Sequence, residues 1–132
     1  MAGELLLSAL RYLWATLAAL QVDAALMGGI AVAAWNHIRN TRDVDLLVGV
    51  RQSDEDQFLV QLKNAGFKQL RDPALLTIDN SRILQLQYEP PGKFLGIRVD
   101  LFFADSEYQV TALSRRVKTI IPGIDLPVFM LS

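Results

Sequence analysis

Asp43-Val44-Asp45-Leu46-Leu47-Val48 sets two acids two positions apart at the head of an aliphatic run. The segment reads as a strand with two different faces. Side chains two apart on a strand share a face, so both carboxylates project together while Val44 and Leu46 enter the core. Two neighbouring carboxylates repel, and a nearby cation relieves that cost. A second stretch, Arg98-Val99-Asp100-Leu101-Phe102, again holds an acid inside an apolar run. An uncompensated carboxylate in a central strand is expensive. If the two strands are neighbours, Asp43, Asp45 and Asp100 converge into a site for one or two metal ions.

Upstream, the short apolar run Ala24–Met27 ends at Gly28-Gly29, and Ile30 to His37 reads as a helix opening at those glycines. Glycine lets backbone approach a ligand closely, and a helix N-terminus offers unpaired N–H groups to an anion. A phosphate chain there could be bridged to the carboxylates by magnesium, which takes few carboxylates and several phosphate oxygens. Each piece alone has an ordinary reading. An Asp-x-Asp pair is usually a solvated turn or strand edge, and Gly-Gly after a strand is usually a turn. Their combination in this order is the more specific signal.

Outward from these motifs, Leu6, Leu10, Leu13, Leu17 and Leu20 recur as on one face of a helix over 4–21. Ser53 and Asp56 suggest a capping box ahead of a helix to about Ala65, with Gly66 as its C-terminal glycine. Short strands are expected at 67–70 and 75–78, and paired strands at 83–88 and 97–103 around Pro90-Pro91-Gly92. Asp105 or Ser106 caps a helix to about Val117, and the tail holds one or two strands around Pro122-Gly123. One domain over 1–132 follows, of α+β class, with one mixed sheet and helices packed on it.

Composition narrows the chemistry. The chain has 132 residues, no cysteine and one histidine, His37. Thiolate and multi-histidine sites are excluded, so a metal here is hard and oxygen-bound, magnesium or manganese. The net charge of −1 disfavours wrapping a long polynucleotide but allows contact with an RNA end. Apolar residues, at 52%, exceed the usual share, and a second copy or a partner protein is expected to cover some of that surface. No signal peptide or membrane helix is read, so the expected location is cytoplasmic. His37 reads as a surface residue near a helix end, Trp14 and Trp35 as packing residues, and Arg115-Arg116-Lys118 as a solvated helix end.

Met27-Gly28-Gly29, a gap of thirteen residues, Asp43-Val44-Asp45-Leu46 and then Val99-Asp100-Leu101 resemble the nucleotidyltransferase superfamily related to DNA polymerase beta. Arg39-Asn40-Thr41-Arg42-Asp43-Val44-Asp45 is similar to the form found in minimal, antibiotic-modifying and abortive-infection toxin-like members. The resemblance spans about residues 24 to 128. It implies a nucleotidyltransferase-like mixed β-sheet flanked by helices. It also implies attack of an acceptor hydroxyl (RNA end, protein or small molecule) on the α-phosphorus of a nucleoside triphosphate.

In that scheme Asp43, Asp45 and Asp100 are catalytic and hold Mg2+ or Mn2+. Gly28 and Gly29 fix the triphosphate, and Arg39, Thr41 and Arg42 are nucleotide-binding candidates. Toxin-like relatives continue past a strand resembling Ile124-Asp125-Leu126-Pro127-Val128 into a helical region with no counterpart before Ser132. The alternative is therefore a non-catalytic or partner-dependent module of the same fold.

Overall fold

The computed structural model describes residues 2–27, 43–89, 96–120 and 128–130. Helix α1 (Ala2–Ala19) buries Ala9, Leu10, Leu13, Trp14 and Leu17, a stripe at the three- and four-residue spacing of an amphipathic helix. It closes where Gln21 takes left-handed backbone, φ 59°. There Gln21 N–H donates to Ala18 O and Val22 N–H to Leu17 O, each at 3.0 Å. This is a Schellman closure with glutamine where glycine is usual.

Strand β1 (Asp23–Leu26) pairs antiparallel with β2 (Asp43–Gly49), Ala24 opposite Val48 and Leu26 opposite Leu46. A 3-10 turn at Gln52–Asp54 then leads into α2 (Glu55–Asn64). The expected Ser53–Asp56 capping box does not form, because Ser53 lies inside that turn and the N-cap, Asp54, makes no side-chain cap bond. Glu55 and Asp56 instead favour the helix N-terminus through its dipole. Gly66 closes α2 as expected, at φ 104°. Its N–H reaches Lys63 O at 3.0 Å, and Phe67 N–H reaches Leu62 O at 3.1 Å.

Two short strands share one flank of β5 (Ser81–Tyr88): β3 (Lys68–Gln69) pairs near its end and β4 (Leu75–Ile78) near its start. Asp79 and Asn80 join β4 to β5 with φ of 50° and 66°, the backbone of a two-residue type I′ turn. Strand β6 (Ile97–Phe103) lies between β5, antiparallel, and β2, parallel.

Helix α3 (Glu107–Ser114) opens with a full capping box between Ser106 and Gln109. It stops before the expected end at Val117. Arg115 caps it, and Val117–Thr119 forms β7, whose backbone is claimed by antiparallel pairing with β8 (Val128–Met130).

The strands form one mixed sheet in the order β3-β5-β6-β2-β1-β8-β7, with β4 beside β3 on β5. One face carries Val44, Leu46, Val48, Leu84, Leu86, Val99, Leu101 and Phe103 against α1 and α2. On the other face a smaller cluster of Ala25, Leu47 and Leu113 docks α3, with Phe102 and Phe129 beside it. Tyr12 of α1 stacks on Tyr88 at 4.9 Å and on Phe67 at 5.7 Å, tying the helix to the far side of the sheet. Among the described residues no helix is long and apolar enough to cross a membrane.

Candidate functional site

The alternation that sinks Val44 and Leu46 into the α1 face leaves Asp45 on the opposite one, and Asp45 is exposed. The same alternation in β6 sinks Val99 and Leu101 and turns Asp100 outward beside it. The parallel register sets Asp45 directly against Asp100 and Asp43 against Arg98. Paired positions on neighbouring strands share a face and stand about 4.8 Å apart. Two acids remote in the chain are thus immediate neighbours. Asp43 lies two residues before Asp45 on the same strand, and its side chain lies outside the described residues.

Asp100 keeps only 9% of its surface accessible, and the sole other buried polar residue among those described is Gln85, at 5%. These two are also register partners, Gln85 lying across from Asp100 on β5. A polar row therefore crosses the sheet from Asp45 through Asp100 to Gln85, where Arg71 Nε donates to Gln85 Oε1. The Asp100 carboxylate is itself compensated: Arg98 Nε donates to Oδ1 at 3.1 Å. Arg98 shares the Asp100 face because it lies two positions before it on β6.

The chain reaches the expected phosphate loop at this same place. Met27 N–H donates to Asp45 O at 3.1 Å, extending the β1–β2 ladder one residue before Gly28. Gly28, Gly29, Arg39, Thr41 and Arg42, the helix expected at 30–37, and His37 and Trp35 within it lie outside the described residues. The strand expected around Asp125 is described only from Val128.

The donor set suits a hard divalent cation. Two carboxylates stand on paired positions, one of them nearly buried, and both offer hard oxygen donors. Among the described residues no group of three or more potential ligands is complete. Of the three acids, Asp45 and Asp100 have described side chains.

Two residues of this neighbourhood escaped the sequence reading. Gln85 sits in an unremarkable strand and gains meaning only from its register with Asp100. Arg98 stood in the quoted motif, yet its role as counter-ion needed the side-chain geometry.

Other charged clusters serve the fold. Arg82 grips Asp105 with two hydrogen bonds, of 2.8 and 2.7 Å, and also pairs with Glu55, joining β5 to the starts of α2 and α3. The Asp105 hydrogen bonds drive its pKa still further above the ordinary arginine range. Arg116, expected at a solvated helix end, is instead tied into the structure. It donates to Asp23 Oδ1 at 3.3 Å and Leu113 O at 3.0 Å, and lies 4.6 Å from the Phe129 ring centre. Arg115 and Lys118 are exposed, as expected. Compared with models of known protein families the chain matches none, and no curated protein matches its sequence.

Proposed function

We propose that the chain is a metal-dependent nucleotidyltransferase, moving a nucleoside monophosphate from a triphosphate to an acceptor hydroxyl with release of pyrophosphate. The observation that carries this reading is the parallel pairing of Asp45 with Asp100, with Asp43 one step along the same strand. It is supported by the chain path, which leaves β1 opposite Asp45 and enters Gly28-Gly29. The motif resemblance supplies the reaction class.

Asp43, Asp45 and Asp100 would hold one or two Mg2+ or Mn2+ ions. Bound there, the ions supply Lewis-acid stabilisation of the attacking and leaving oxygens. Asp100, nearly buried, would bind the second ion and favour deprotonation of the attacking hydroxyl. The Gly28 and Gly29 amides would hold the phosphate chain, with Arg39, Thr41 and Arg42 as further phosphate contacts. The acceptor is an RNA end, a protein or a small molecule.

A second reading keeps the fold and the site but makes activity depend on a partner. Its support is the apolar surface on α3 and β7, where Tyr108 is 84% and Ile120 85% exposed, with Val110 and Val117 about half exposed. Each nucleoside triphosphate, labelled at the α-phosphate, would be incubated with the chain, manganese and a mixed pool of RNA, protein and metabolites. Label transferred to one acceptor class by the wild type and not by Asp45→Asn supports the enzyme. Metal-dependent nucleotide binding without transfer supports the partner-dependent module. Absence of both removes the nucleotide from the account.

A further inference from the structure

We infer that Arg98 is a built-in counter-ion of the acid cluster, which an incoming divalent cation must displace from Asp100. This rests on the metal site proposed above and concerns how that site is kept when empty and how it is filled. Carboxylates on paired sheet positions repel, and a guanidinium is bound to one of them: Arg98 Nε donates to Asp100 Oδ1 at 3.1 Å. The register sets Arg98 against Asp43, and Asp100 against Asp45. The guanidinium therefore belongs to a four-residue block of register positions, Asp43 and Asp45 on one strand and Arg98 and Asp100 on the next.

The pair is asymmetric in exposure. Asp100 has 12% of its side chain accessible and sits on a central strand between β5 and β2, whereas 47% of the Arg98 side chain is exposed. A cation binding at Asp45 and Asp100 meets a largely buried carboxylate and a half-exposed guanidinium that has solvent beside it. The chain therefore trades an internal cation for a divalent one. Arg98 is a positioning residue: in the metal-free chain it holds the Asp100 carboxylate in place, and it sets how tightly the cluster takes metal.

The test is manganese binding by calorimetry, with melting curves, for wild type, Arg98→Met and Arg98→Lys. Methionine keeps the apolar stem without the charge, and lysine keeps the charge. If Arg98 competes with metal, Arg98→Met melts lower than wild type without metal, binds manganese at least about tenfold more tightly, and gains more from it. Arg98→Lys stays near wild type in affinity.

A merely structural ion pair would lower the melting temperature and leave the manganese affinity unchanged, and that result overturns the inference. Equal affinity for Arg98→Met and wild type, with manganese binding still lost in Asp45→Asn, sinks the counter-ion role alone and leaves the metal site standing. Loss of manganese binding in every protein, wild type included, overturns both.

Discussion

Asp100 concentrates the tension between fold and function in one side chain. A carboxylate at 9% accessibility in a central strand costs stability that a leucine of similar volume would not. Arg98 offsets part of this by donating a hydrogen bond from a half-exposed side chain. Two positions along β6 on the same face, Phe102 packs against the smaller apolar cluster, so that face also takes an apolar residue. Replacing Asp100 with Leu is therefore expected to leave the metal-free melting temperature unchanged or up to about 4 °C higher. The same variant should lose the response to manganese. A variant that melts well below wild type would mean that Asp100 is needed by the fold.

Among the elements, those that announce themselves are those whose signals are local. Helix α1 follows from leucine spacing, and the end of α2 follows from Gly66, whose positive φ suits glycine. The errors arose where local signals competed. Ser53 looked like a cap, but the 3-10 turn absorbed it. Val117 extended an apparent helix by pattern, yet it pairs with Met130, thirteen residues away, which no local window sees. The close of α1 was invisible for a similar reason, since glutamine rarely marks a left-handed residue. Gln21 at φ 59° carries a Cβ penalty that glycine avoids. Gln21→Gly should stabilise the chain by roughly 0.5–1 kcal/mol, the gain being reduced by glycine's freer unfolded state. Urea unfolding should show a higher midpoint at unchanged slope, and a lower midpoint would mean that the glutamine side chain contributes more than its backbone costs.

Over the whole molecule, the candidate site residues and the pairing of 83–88 with 97–103 were legible, and what was not legible was which strand lies beside β2. Alternation alone put Asp43 and Asp45 on one face of their strand, and Asp100 stood out as an acid inside an apolar run. Only the sheet order, with β6 inserted between β5 and β2, brings Asp100 against Asp45, and it does so in register. Val44, Leu46, Val99 and Leu101 are buried together in the core cluster that includes α1, a three-dimensional fit with no short-range trace. The same assembly places Gln85 and Arg98 around Asp100 and leaves the α3–β7 end of the molecule with exposed apolar side chains.

The central claim is that this assembly makes the acids a cation and triphosphate site. A ligand that binds only the folded state raises its melting temperature by linkage. The most direct measurement is therefore the melting temperature of wild type and Asp45→Asn, each with and without millimolar manganese plus a nucleoside triphosphate. The account predicts that metal and nucleotide together raise the wild-type melting temperature by several degrees, roughly what 1–2 kcal/mol produces in a domain of this size. Asp45→Asn should melt within a few degrees of wild type when metal-free and lose most of that gain. A wild type that gains nothing, or an Asp45→Asn variant that gains as much, would contradict it.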